Sequence, residues 1–104
     1  MSLDKTVFLN NLFDNYEALL TDRQREVYRY YYHDDLSYQE IADLLGISRA
    51  GVYDTLKRTV AFLEDTENKL GFTQKYGKML GELLDLNNPD INKILERYLG
   101  GNYE

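Results

Sequence analysis

"LSYQEIADLLGISRAGVYDTLKR", residues 36–58, reads as two helical phrases joined by the short turn "GIS". Ser37 with Glu40 three residues on is a capping box: the serine oxygen accepts an amide hydrogen and the glutamate reaches back to the cap. Ile41, Leu44 and Leu45 supply the apolar stripe of the first phrase. Gly46 permits the left-handed backbone that stops it, and Ser48 caps the second phrase. Ala42 is small where the helices must cross closely, Ile47 plugs the corner, and Val52 and Leu56 bury the inner face of the second helix. This is the pattern of a helix-turn-helix. The outer face of its second helix offers Arg49, Tyr53, Asp54, Lys57 and Arg58. In such a motif the N-terminal part of that helix enters the major groove, with Arg49 as its leading donor to guanine or phosphate.

The rest of the chain is helical in period. Leu9, Leu12, Phe13, Tyr16 and Leu20 follow the i, i+3, i+4 rule and predict a helix over residues 4–20. Thr21 is a cap for a second helix from Asp22 to about Tyr32. "VYRYYY" has strand propensity but no period-2 alternation, and "DRQRE" before it favours helix, so we read helix. "HDD" at 33–35 is a turn. The fourth helix carries Val52, Leu56, Val60 and Leu63 on one stripe and extends to Leu70. A fifth spans Thr73 to Leu86, with Tyr76, Met79, Leu80, Leu83 and Leu84 on its stripe. Asn88 at the cap and Pro89 at the first helical position open a sixth, which Gly100-Gly101 end. The expected fold is all-α: a winged-helix-free, helix-turn-helix bundle of about six helices closing in a C-terminal helical hairpin. With 104 residues it is expected to be one domain, residues 1–70 carrying the motif and 71–104 forming a tail that packs on it or makes an interface.

Charge argues the other way from the motif. The formal net charge is −6. Residues 1–35 hold seven acids and four bases, residues 36–69 six and four, and residues 70–104 five and four. No third is basic, so a nucleic-acid footprint has to be local. Arg23, Arg25 and Arg29 on the second helix would flank a duplex on the phosphate backbone. The plainer reading gives them to a solvated face of ion pairs such as Asp22–Arg25. Asp54 sets a negative charge on the reading face itself, which favours a helical corner that reads nothing.

Other chemistry finds little support. There is no cysteine, which excludes a disulfide scaffold and a thiol nucleophile and fits a reducing, cytoplasmic setting. His33, with Asp34, Asp35 and Glu40 near in sequence, is too few ligands for a metal site. No glycine-rich phosphate loop or nucleophile elbow is present, so neither enzyme nor cofactor is expected. The N-terminus lacks the apolar core of a signal peptide, and no apolar run approaches the roughly 20 residues of a membrane span. Ten tyrosines stand against four phenylalanines. Tyr28, Tyr30, Tyr31 and Tyr32 cover more than one helix face, so some serve a core edge and some are free to stack on bases or anchor an interface.

"LTDRQREVYRYYYHDDLSYQEIADLLGISRAGVYDTLKRTVAFLE" resembles region 4 of the sigma-70 factors over residues 20–64. That family pairs an "L…RQREV" helix with "LS…EIA…LGIS…V…LKR", and its second motif helix reads promoter DNA. The resemblance implies contacts by Arg49, Tyr53, Lys57 and Arg58. Asp54 departs from a basic reading face, and the chain has no room for the rest of a sigma factor. Nearly the whole chain is similar to the small bacterial YlxM family of helix-turn-helix proteins, most specifically at "YYYHDDLSYQEIA" and "ISRAGVYD". Genes of that family commonly neighbour those of the signal recognition particle. The resemblance thus implies a regulatory DNA-binding protein with a part in that pathway, and duplex DNA or the particle's protein or RNA components as partners. The alternative is a non-enzymatic protein-interaction module of the targeting machinery that has lost DNA reading. A homodimer through residues 73–99 would give either version a second copy of the motif.

Overall fold

A computed structural model describes residues 3–100. They form six α-helices and no strand: α1 Leu3–Tyr16, α2 Asp22–Tyr28, α3 Tyr38–Leu45, α4 Arg49–Leu70, α5 Phe72–Asp85 and α6 Pro89–Leu99. A 3-10 turn, Glu17–Leu19, follows α1, and a π turn, Arg29–His33, follows α2. The chain divides into two compact units, residues 1–71 and residues 72–104.

The first unit is organised on α4, against which α1, α2 and α3 all pack. At about 1.5 Å per residue its 22 residues run for about 33 Å. The core joins Leu9, Leu12, Phe13 and Tyr16 of α1 to Val27 and Tyr28 of α2, Ile41 and Ala42 of α3, and Val52, Leu56 and Leu63 of α4. Full burial of one such large side chain stabilises by about 1.5–3 kcal/mol. The caps sit where the sequence puts them. Ser37 Oγ accepts from Glu40 N–H at 3.1 Å while Glu40 accepts from Ser37 N–H at 3.0 Å. Thr21 and Gln24 make the same reciprocal pair. Ser48 Oγ accepts from Gly51 N–H at 2.9 Å. Gly46 turns the chain at φ 67°, and Ile47 N–H donates to Ala42 O at 3.2 Å.

Three expectations need correction. The first helix is regular only to Tyr16 and tightens to 3-10 pitch through Leu19. The second does not run evenly to Tyr32: from Arg29 it widens to π pitch, and Asp34 N–H donates to Arg29 O at 3.0 Å. The wide turn lets Tyr32 tilt against Tyr28, with centroids 4.6 Å apart, while Tyr31 faces away toward α3. Leu44 belongs to no apolar stripe and is 61% exposed. At 100° per residue it falls 60° outside the arc that Ile41, Leu45 and Ala42 bury.

In the second unit α5 and α6 pack on each other as a helical hairpin. Asn88 Oδ1 accepts from Asp90 N–H at 2.9 Å, and Pro89 opens α6 as expected. Gly100 ends it; Gly101 lies outside the described residues. Leu95 is the buried hydrophobic of this hairpin, while Met79, Ile94 and Tyr98 are half-exposed or more.

Candidate nucleic-acid interface

The exposed side of α4 starts at its N-terminus, where Ser48 holds the first turn. Val52, Leu56, Thr59 and Leu63 bury one face, so Arg49, Tyr53, Asp54, Lys57 and Arg58 are left in solvent. Arg58 Nε lies 3.1 Å from Asp54 Oδ2, one turn away. The carboxylate that opposed a basic face is therefore matched on the same helix. Arg49 and Lys57 make no ion pair among the described residues. They are the cations this surface leaves free.

The α2 arginines are placed differently. Arg23 pairs with Glu26 at 3.7 Å. Arg25 pairs with Asp22 and donates to Glu17 O at 3.2 Å and Leu20 O at 3.1 Å, so its guanidinium closes the end of the 3-10 turn. Arg29 reaches Glu17 at 2.5 Å and lies over the Phe13 ring, 5.6 Å from its centroid. All three thus hold carboxylate partners, two of them in i,i+3 pairs of the kind that the sequence suggests. Asp22–Arg25 is one of those pairs.

Tyrosines connect the core to this surface. Phe13 stacks on Tyr28 at 4.2 Å, and Tyr28 meets Tyr32. Tyr32 meets Tyr31 edge-on at 4.9 Å, Tyr31 stacks on Tyr38 at 5.1 Å, and Tyr38 meets Tyr53 edge-on at 5.7 Å. A hydrogen bond with Tyr31, and then burial, push the Tyr38 hydroxyl up to about 12. Burial is the main cause that raises Tyr32. Both stay neutral at ordinary pH. Tyr38 escaped the sequence reading. Its signal was its place at the first position of α3, where it can face the aromatic at Tyr53 across the motif's turn. His33 packs edge-on to Phe13 at 5.4 Å and to Tyr28 at 5.7 Å. No metal-holding cluster of His, Asp or Glu occurs among the described residues. No helix among them is long and apolar enough to cross a membrane.

The motif's geometry agrees with the comparisons with known proteins. A UPF0122 protein of Thermoanaerobacter sp. (strain X514) is 42% identical over 104 residues, covering 89% of each chain. One of Shouchella clausii is 53% identical over 74 residues, covering 71% of this chain and 68% of its own. One of Halalkalibacterium halodurans is 50% identical over 76 residues, covering 73% and 70%. The family model described as "UPF0122: Putative helix-turn-helix protein, YlxM / p13 like" matches residues 3–98, and the chain belongs to that family.

Proposed function

We propose that the chain is a regulatory DNA-binding protein in which α4 lies in the major groove of a duplex. The observation that carries this is the pair of unmatched cations, Arg49 and Lys57, on a face where Arg58 already answers Asp54. Arg49 leads as base or phosphate donor, Tyr53 supplies apolar contact, and Lys57 and Arg58 grip phosphates. Arg23, Arg25 and Arg29 join the contact by exchanging their carboxylates for the backbone. The gene neighbourhood common in the family supports a part in the signal recognition particle pathway, in the cytoplasm.

A second element is self-association. The hairpin of α5 and α6 leaves Met79, Ile94 and Tyr98 open to solvent around one buried leucine. A homodimer through residues 73–99 would cover them and present two motifs to half-sites about 34–36 Å apart. The same apolar residues are what favour the competing reading, a protein-interaction module whose partner is a component of the targeting particle.

Fluorescence anisotropy against labelled duplex DNA at several salt concentrations tests the proposal. The logarithm of affinity should fall with the logarithm of salt at a slope of about −3 or steeper, at about −0.9 per phosphate neutralised. An Arg49→Ala, Lys57→Ala double variant should lose most of that binding. Full affinity in the double variant, or no binding near 50 mM salt, removes the duplex reading and leaves the protein-partner one.

A further inference from the structure

Beside the reading face, within the first unit, α4 forms one wall of an open cleft of about 480 Å³. That is within the size range of small-ligand sites, about 300–1,000 Å³. Tyr53, Lys57 and Glu64 line it along α4, with Tyr38 at the start of α3, Tyr32 in the π turn, and Lys5 on α1. Leu56 and Val60 add apolar surface to it.

The spacing on α4 defines the ligand. Tyr53, Lys57 and Glu64 occur at i, i+4 and i+11, so they lie on one stripe that covers about 16 Å at 1.5 Å per residue. Tyr38 meets Tyr53 at one end. Tyr32 and Glu64 line the same cleft with them. One cation, Lys57, thus shares the cleft with two aromatic surfaces, Tyr53–Tyr38 and Tyr32. Bases stack on tyrosines whatever their identity, and the phosphate joining two of them needs a positive charge between the stacking sites. A trough of this length is longer than one nucleotide fills. Glu64 adds selection, because a carboxylate accepts from base N–H groups: guanine presents two on its pairing edge, and thymine one.

We propose that this cleft binds single-stranded nucleic acid, with two adjacent unstacked bases on Tyr53–Tyr38 and on Tyr32, their phosphate at Lys57, and Glu64 favouring guanine. The site shares Tyr53 and Lys57 with the duplex-reading face of α4. Tyr32, Tyr38 and Glu64 have no role there, so changes at those three separate the two activities.

The test is anisotropy of labelled hexanucleotides at low salt: TTTTTT, TTGGTT, and a hexamer lacking bases at its two central positions. TTGGTT should bind about thirtyfold or more tighter than the abasic strand, the order expected for two bases stacked on aromatic rings. Tyr32→Leu keeps the apolar fill but removes one of the two stacking surfaces, and should erase about half of that difference on a logarithmic scale. Glu64→Gln should narrow the gap between TTGGTT and TTTTTT, weakening TTGGTT more than TTTTTT. Both variants should keep wild-type affinity for duplex DNA. Glu64→Gln should keep a wild-type circular-dichroism melt, and Tyr32→Leu, which gives up ring contacts with Tyr28 and Tyr31, should melt somewhat lower but still cooperatively. Equal binding of the abasic and base-bearing strands overturns the proposal, as does full strand preference in Tyr32→Leu. GMP alone binding as tightly as TTGGTT also overturns it, in favour of a free nucleotide.

Discussion

Arg58 and Asp54 form an ion pair along α4, Nε to Oδ2 at 3.1 Å, on the face that would meet a duplex. Both side chains are well exposed, so the pair adds only about 0.3–0.5 kcal/mol to stability, as i,i+4 pairs on helices do. Its effect on binding is larger in kind: the Asp54 carboxylate competes with phosphate for the Arg58 guanidinium. Asp54→Asn releases Arg58 and removes a repulsive charge. Duplex affinity should rise up to about tenfold at low salt, with a steeper salt slope and a shrinking gain as salt is raised. The thermal midpoint should hardly move. Unchanged affinity in this variant would mean that the outer face of α4 does not touch phosphate.

The capping box of α3 is pH-dependent. Hydrogen bonds from Ser37, first its backbone N–H and then its side chain, hold the Glu40 carboxyl below its ordinary value of 4.5. A carboxyl whose value is lowered by folding stabilises the fold above its unfolded value. That contribution is lost as pH falls through the lower, folded value. Acid melts should therefore show a loss of stability below about pH 4.5 that Glu40→Gln lacks, because glutamine completes the box without titrating. Equal slopes for both proteins in melts from pH 6 to pH 3 would place the acid sensitivity elsewhere.

The Tyr28 hydroxyl donates to Asn10 Oδ1 at 2.7 Å while the ring, fully buried, stacks on Phe13 at 4.2 Å. The two contacts separate by substitution. Tyr28→Phe keeps the stack and loses one hydrogen bond, at a cost of about 1 kcal/mol. Phe13→Ala removes a ring from the middle of the core and should cost about 3–5 kcal/mol. Urea unfolding of both variants measures the difference. A Tyr28→Phe loss as large as that of Phe13→Ala would mean that the hydroxyl, not the stack, organises the junction of α1 and α2.

Short-range chemistry made much of this fold readable. Ser37 with Glu40, Ser48, Gly46 and Asn88-Pro89 act within four residues, and each fixes a helix end where the sequence indicates. The π turn was not readable, because the ring contacts of Tyr32 with Tyr28 and Tyr31 with Tyr38 depend on tertiary packing. Leu44 was misread because a two-turn helix has too few residues to distinguish a buried arc from its edge. At the candidate site, the outward positions of Arg49, Lys57 and Arg58 follow from helical period. The Asp54–Arg58 pair was available from its i,i+4 spacing, although Asp54 alone looked repulsive. Arg25 turns back onto the carbonyls of Glu17 and Leu20, and no local pattern signals that.

The division at Gly71 bears on what the tail is for. Every buried hydrophobic residue described except Leu95 lies between Leu9 and Leu63. A fragment of residues 1–71 should therefore unfold cooperatively by itself, as small single domains do. If residues 73–99 join two copies, the fragment should sediment as a monomer where the full chain sediments as a dimer. Its affinity for a single half-site should match that of the full chain, and only the advantage on paired half-sites should disappear, because linking two sites raises avidity without any new contact. Sedimentation equilibrium and anisotropy on one and two half-sites read the two effects apart. A fragment that melts without cooperativity would make residues 1–104 one folding unit. A full-length monomer would instead leave the exposed Met79, Ile94 and Tyr98 for a different protein.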